Sequence, residues 1–493
     1  MTSPRAQPER ATLAPGLEVC RIVTGLWQMA DQERDGRGID LDTAAEALAG
    51  YAEAGFDTFD MADHYGSAEI VAGRASRLIQ ARGGTRPTVM TKWVPEPGPM
   101  TPEVVRDGVR RALDRLRLER IDLMQLHWWS YEHPAYLDAL AELMRLRQQG
   151  LIGHLGVTNF DTAHLRVLVK NGIEIAANQI CFSLLDRRAA GEMSAFCLEH
   201  GVAILAFGAL AGGFLAERWL AVPEPAEIRD WSKMKYRRFI EAAGGWEPFQ
   251  ALLGALHEVA RRHGVSIANV ATRWVLEHPA VAAVIVGARL GEREHRSDNL
   301  RVFSFALDDA DRALLHQALA ATAAIPGDCG DEYRRPPFLT ASGDLSHHLE
   351  SLPQVYASAP VAGRPDRQRI DSGSVWEAAC GYSRAVRVGE RILVSGTTAT
   401  HGSGEVVCPG DVEGQTTYIL DRIAAALAAL GGDLDDVVRT RVYLKDPARW
   451  AEAARCHRRV FGRALPANTL LAVAGLVGDY EVEIEAEAVV RQE

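Results

Sequence analysis

The sequence predicts an α/β chain, a (β/α)8 TIM barrel followed by a smaller α+β domain. Three observations carry that reading. The chain has 493 residues, more than one ordinary domain. Between Cys20 and about Thr322, eight short apolar runs alternate with amphipathic stretches, the order of a parallel barrel wrapped in helices. Beyond Ser374 the order becomes hairpin, long helix, strand, helix and two strands, which suits an α+β unit of about 120 residues.

The barrel strands are CRIVTGLW, FDTFDMA, TVMTKWV, DLMQLHW, HLGVTN, IAANQICFS, AILAFGA and AAVIVGA. Helical spacing lies between them, as over Thr43 to Ala54, Pro102 to Leu116 and Tyr136 to Gln149. A Rossmann domain would place GxGxxG after an early strand, and the early turns do not supply it. From Ile325 to Ser374 the periodicity fails among Pro326, Pro336, Pro337, Pro353, Pro360 and Pro365, so this stretch reads as a linker partly wrapped on the barrel. Its His347–His348 pair reads as exposed loop rather than a metal site. RAVRVGERILVSGTTAT then reads as a hairpin with a VGE turn. Asp411 to Leu430 is one amphipathic helix ended by Gly431–Gly432. VVRTRVYLKD, LLAVAGL and YEVEIEAEAVV are strands, and Trp450 to Phe461 is a helix. The expected units are a barrel over 14–324, a linker over 325–373 and a C-terminal domain over 374–493.

Apolar content of 47% and charged content of 24% are globular values. A net charge of −11 argues against nonspecific binding to nucleic acid or acidic membranes. No uninterrupted apolar run is long enough to span a bilayer, and MTSPRAQPERATLAPG lacks the apolar core of a signal peptide. The seven cysteines are scattered, with no CxxC and no zinc spacing. Reduced thiols, a cytoplasmic location and no bound metal are the expectation.

The most informative segment is GFDTFDMADHYG, Gly55 to Gly66. Asp60 ends one strand and Tyr65 follows it. VMTKW places Lys92, and DLMQLHWW places His127, at the ends of the next two strands. In a parallel barrel those ends share one face, where catalytic groups collect. An ammonium beside a tyrosine stabilises its phenolate, so the tyrosine yields its proton more readily.

These motifs, in this order, resemble the aldo-keto reductase superfamily over the first two-thirds of the chain. The resemblance implies a tetrad of Asp60, Tyr65, Lys92 and His127 and hydride transfer from a reduced nicotinamide to a carbonyl carbon. Tyr65 would be the acid, Lys92 paired with Asp60 would lower its pKa, and His127 would orient the carbonyl. Family members that reduce carbon–carbon double bonds carry Glu where His127 stands. The resemblance further implies that Thr158 and Asn159 of GVTNF and Gln179 of AANQI hold the carboxamide. Phe207 would stack on the nicotinamide in place of the family's usual Tyr. Gly287, Arg289, Arg293 and Asn299 of VIVGARLGEREHRSDNL would take the adenosine phosphate. The arginines favour NADP(H), and NAD(H) stays open because Gly287 or Ala288 replaces the family's usual Lys. Substrate walls are expected from Trp27, Gln28, Trp128, Trp129 and Tyr131, and from the segment Glu217 to Pro248.

From about Cys380 onward, YSRAVRVGERILVSG, EGQTTYILDRIAAAL, GGDLDDVVRTRVYLKD and EVEIEAEAVV resemble the RidA (YjgF) family. That implies a chorismate-mutase-like fold, a homo-trimer and a cleft for hydrolysing enamines and imines. The family's carboxylate-binding Arg is Asn468 here, in PANT, and Asn cannot form the charged fork. Tyr382, Arg441, Asn468 and Glu483 are the cleft candidates. The leading expectation is an NADPH-dependent reductase of an aldehyde, ketone or related C=N compound fused to a RidA-like domain. A bifunctional reductase and imine hydrolase, and a nicotinamide-sensing regulatory protein, are the alternatives.

Overall fold

A computed structural model describes residues 7–30, 40–334, 354–402 and 404–490. Eight parallel strands close a barrel in the order β10-β3-β4-β5-β6-β7-β8-β9. They are β3 (Ile22–Gly25), β4 (Thr58–Ala62), β5 (Thr88–Trp93), β6 (Ile121–His127), β7 (Ile152–Thr158), β8 (Ala177–Cys181), β9 (Ala203–Phe207) and β10 (Val281–Gly287). Every residue of β4, β6 and β8 is buried, because the barrel interior covers one face and helices cover the other. Local signals set the helix ends. Pro102 opens the Pro102–Leu116 helix behind a Thr101 cap that accepts from the Val104 N–H. Arg117 ends that helix in the left-handed region.

The expected start at residue 14 falls inside an unforeseen hairpin, β1 (Arg10–Ala14) with β2 (Leu17–Cys20). Its Leu13, Leu17 and Val19 pack on Val23, Met90, Leu123, Ala177, Leu205 and Ala283, so they fill the barrel interior away from the catalytic rim.

The second unit is a seven-stranded sheet in the order β11-β12-β13-β14-β17-β15-β16. It comprises β11 (Ser358–Val361), β12 (Arg364–Ile370), β13 (Ala385–Val388), β14 (Arg391–Thr398), β15 (Val437–Leu444), β16 (Ala467–Ala472) and β17 (Val482–Val489). The structure corrects the linker reading here, since β11 and β12 extend this sheet through β13. Pro360 is tolerated because β11 is an edge strand. The polar, exposed residues of this hairpin give no apolar alternation to read. The other end of the same stretch, Ile325 to Arg334, folds on the barrel. His347 and His348 lie outside the described residues. Among the described residues no helix is long and apolar enough to cross a membrane. All seven cysteines are free thiols, with Cys380 exposed and the others buried.

The two units dock through their helices. The barrel helix Thr162–Lys170 packs on Val412–Ala428, whose other side lies on β14 and β17. Arg166 clamps Asp411 with two bonds of 2.9 and 2.7 Å and reaches Glu413 at 3.0 Å. His164 is fully buried with Nδ1 2.7 Å from Asp161 and Nε2 2.9 Å from Asp421. Asp161 also faces Arg459 at 3.6 Å. Burial works against the imidazolium, but the two carboxylates prevail and raise the His164 pKa above its ordinary value.

A raised folded-state pKa means that this contribution is complete below the unfolded value and fades as pH rises through the folded one. Asp421→Asn is expected to cost about 3 kcal/mol at pH ~6, since one carboxylate of a buried pair is lost. The cost should shrink toward pH ~9 as His164 loses its proton. Urea denaturation of the full chain at both pH values checks this; an equal penalty at both would show that His164 does not change its charge between them.

Candidate active site

Parallel pairing aligns the functional side chains at one rim. Ala62 pairs with Lys92, Lys92 with Gln125, His127 with Thr158, and Thr158 with Gln179. Asp60 is buried and accepts two bonds from Lys92 Nζ, at 2.9 and 2.7 Å. Gln179 Nε2 donates to the same carboxylate at 2.7 Å and Gln125 Nε2 at 3.3 Å. Burial lowers the Lys92 pKa, and Asp60 opposes that shift. The Lys92 ammonium lies 5.1 Å from the centre of the Tyr65 ring. His127 Nε2 is 3.3 Å from Asn159 Nδ2. Burial, with the positive charges of Arg334, His64, Lys92 and Lys235, pushes the His127 pKa well down, so the imidazole is neutral.

These groups open into one cleft of about 760 Å³. Its lining brings together Asp60, Tyr65, Lys92, His127 and Trp27 at one end. Thr158, Asn159, Gln179 and Phe207 line the same cleft, as do Gly287, Arg289, Arg293 and Asn299. Thr158 Oγ1 and Asn159 Oδ1 are buried with no hydrogen-bond partner among the described residues. Two orphaned oxygens on the wall are what a carboxamide would satisfy. The donor set therefore fits a nicotinamide, with Arg289, Arg293, Arg218 and Lys233 supplying positive charge along the cleft. Asp230, Glu217 and Glu292 are the acids among them, and Asp230 pairs with Lys233 at 2.7 Å and Arg289 at 3.1 Å. A side chain at Gly287 would meet the Gln28 amide, which would have to swing aside to admit it.

Three expected substrate residues are corrected. Trp128 is fully buried outside the cleft lining, with Nε1 donating to Ser130 O at 2.7 Å and His133 O at 3.0 Å. Trp129 is likewise outside the lining; it packs against the His127 ring at 4.4 Å and supports it. Tyr131 is also buried, stacked on His164 at 3.4 Å. All three lie beyond the end of β6 at His127, where strand alternation no longer fixes direction.

Four residues were not singled out by the sequence reading, although Lys235 lies in the segment Glu217 to Pro248 expected to meet substrate. Gln125 holds Asp60, and its interior position on a strand was the only signal available. Tyr333 lines the cleft, edge-on to His127 at 5.7 Å, from a stretch read as linker. Lys235 lines the cleft from the Trp231–Ala242 helix. In the second unit, buried Arg384 of the YSR segment donates to Gly396 O and Thr397 Oγ1 and reaches Glu377 and Tyr382.

The cleft candidates of that second unit separate. Glu483 pairs in register with Tyr443, and Glu485 with Arg441, so Arg441 and Glu483 share the open face of the sheet. Arg441 bonds Glu485 at 2.6 Å. Burial raises the Glu483 pKa, while the nearby charge of Arg384, which Tyr382 Oη contacts, opposes it. Asn468 pairs with Thr440 on the other face and donates to its hydroxyl at 2.9 Å; that hydroxyl also meets His457 on the Trp450–Phe461 helix.

A family model described as aldo/keto reductase family matches residues 21–320. The chain belongs to that family. A second model, described as endoribonuclease L-PSP, matches residues 373–490, the RidA-like portion. Pyridoxal reductase, chloroplastic, of Arabidopsis thaliana is 27% identical over 319 residues, which span 61% of this chain and 84% of that protein. An uncharacterized protein of Streptomyces coelicolor is 37% identical over 125 residues, 24% of this chain and 90% of its own length. A glycerol dehydrogenase structure from Gluconobacter oxydans shares the fold, with a TM-score of 0.52 and 24% identity, and covers 66% of this chain and 98% of that one.

For this aldo/keto reductase the tryptophans should behave differently. Trp128→Ala is expected to destabilise the barrel by about 3–5 kcal/mol, the range for a large buried aromatic. Trp27→Ala should instead raise KM for the carbonyl substrate, because Trp27 meets the Tyr65 ring at 4.9 Å in the cleft. Denaturant melts and steady-state kinetics separate the two, and exchanged phenotypes would reverse the assignment. A neutral His127 should also leave turnover without a titration limb near pH ~6.5, the ordinary imidazole value. Such a limb, if it vanished in His127→Gln, would show the imidazole to be protonated.

Proposed function

We propose that the chain is an NADPH-dependent reductase of aldehydes, ketones or related C=N compounds, carrying a docked RidA-like domain. The observation that carries this reading is the convergence of Tyr65, Lys92 and neutral His127 beside the orphaned Thr158 and Asn159 oxygens in one cleft. When bound, the reduced nicotinamide supplies the hydride for the carbonyl carbon. Thr158 and Asn159 hold its carboxamide, and Phe207 offers a flat apolar face to its ring. Tyr65 gives its hydroxyl proton to the carbonyl oxygen as negative charge develops there. Lys92 stabilises the phenolate left behind, and Asp60 fixes the ammonium for that task. His127, neutral and held at Nε2 by the Asn159 amide, sets the carbonyl's orientation. Arg289 and Arg293 give the cleft a site for an additional phosphate, which favours NADPH over NADH.

The second unit is read as an accessory domain rather than a hydrolase. Asn468 cannot make the charged fork, and it lies on the face of the sheet opposite Glu483.

NADPH oxidation against aldehydes, ketones and cyclic imines tests the reading, with Tyr65→Phe alongside. The variant should lose about 10²–10⁴-fold in kcat, the scale of a missing general acid, while still binding NADPH. Undiminished turnover by Tyr65→Phe would remove the acid assignment.

A further inference from the structure

We propose that Lys235 makes this a reductase of short oxo-acids, its ammonium binding a carboxylate carried by the carbonyl substrate; this rests on the reductase reading above. Lys235 projects into the cleft from the Trp231–Ala242 helix. Its Nζ donates to the Tyr333 hydroxyl, a neutral partner. It also lies 4.3 Å from the ring centre of Tyr333, 5.1 Å from Phe207 and 5.6 Å from Tyr236. Aromatic faces favour a cation, but they do not neutralise it. The acid in its field, Glu332, has its carboxylate held by Arg188 at 2.7 Å, beside the Arg188–Asp186 pair at 2.6 Å.

Position makes the ammonium selective. Phe207 is the proposed nicotinamide platform and Tyr333 meets His127 edge-on at 5.7 Å, so Lys235 stands at the reacting end of the cleft. The phosphate-binding cations Arg289 and Arg293 belong to the segment after β10, not to this wall. The two ring separations keep Nζ within about 10 Å of the imidazole. Allowing about 2.8 Å for each terminal hydrogen bond, the carbonyl oxygen and the carboxylate lie no more than roughly 5 Å apart. An oxo-acid of no more than about five carbons fits within that limit. A charge-assisted bond at a partly dehydrated site is stronger than a neutral one, so the anion should be favoured over its ester.

The test compares kcat/KM for 4-oxobutanoate and its methyl ester in the wild type, Lys235→Met and Lys235→Arg. The wild type should prefer the acid by tenfold or more. Lys235→Met should lower that ratio at least tenfold, and Lys235→Arg should keep most of it. An unchanged ratio in Lys235→Met overturns the proposal. Fluorescence titration with NADPH runs alongside, and a large loss of affinity in Lys235→Met would assign the ammonium to the cofactor and overturn it too. Titration of the NADPH-loaded protein with butanoate decides the matter without turnover. Binding weakened at least tenfold in Lys235→Met supports the carboxylate site even if no carbonyl is reduced, an outcome that would sink only the reductase reading. Equal butanoate binding in both proteins overturns the carboxylate site.

Discussion

Asp60 and Lys92 bury opposite charges side by side in the barrel, and the rim is arranged around that pair. Neither ion would be stable there alone, because removing a charge from water costs several kcal/mol even after relaxation. Asp60 therefore gathers donors from three other strands: Lys92 on β5, Gln125 on β6 and Gln179 on β8. Those bonds tie the relative heights of the strands to the chemistry of the rim. Tyr65 lies next to the ammonium, and His127 follows Gln125 on the same face of β6. The charge that the fold must compensate is thus the charge that the proposed proton transfer uses.

Most of the barrel was legible because its strands are buried on both sides and read as continuous apolar runs, as in IDLMQLH. Pro102 and Thr101 fixed a helix start by local chemistry alone. The hairpin β11–β12 was illegible for the opposite reason: exposed on both faces, its Arg-rich sequence carries no apolar period. The cleft-lining residues expected from motif order lie together, since strand-end position needs only strand identity. Trp128 and Trp129 failed because adjacency in sequence says nothing of direction once a strand has ended. Tyr333 was beyond reach and Lys235 was covered only by the broad segment Glu217 to Pro248, because their place in the cleft depends on how a post-barrel turn and a helix fold back. Asn468 and Glu483 were grouped by motif, and only the pairing register separates them.

The docked domain changes the surroundings of one barrel helix. Thr162–Lys170 carries His164 and Arg166, charged groups that would normally be solvated, and here both meet carboxylates from the second unit. Docking uses the helical side of that unit, and among the described residues the sheet face with Arg441, Tyr443 and Glu485 lies outside the contact. Buried His164 lies against Tyr131, whose hydroxyl meets the Asn159 carbonyl at 3.4 Å. The domain contact is therefore only a few van der Waals layers from the proposed carboxamide site.

Asn159 holds a left-handed backbone, with φ of 57°, a conformation rare outside glycine that Asn tolerates better than most residues. Its carbonyl is clamped by Arg334 at 2.6 Å, and the same guanidinium takes the carbonyls of Trp128 and Trp129 at 2.5 and 3.1 Å. Arg334 stands 14 positions beyond the end of the family match at residue 320. The portable module is thus longer than the stretch its relatives define. A fragment cut at the end of the match would keep every strand and the whole tetrad. It would nonetheless lose Tyr333 from the cleft wall and the clasp that holds Asn159 in its unfavourable backbone. In this fusion the natural seam for transplanting the catalytic unit into another chain lies after the clasp, not after the last barrel helix.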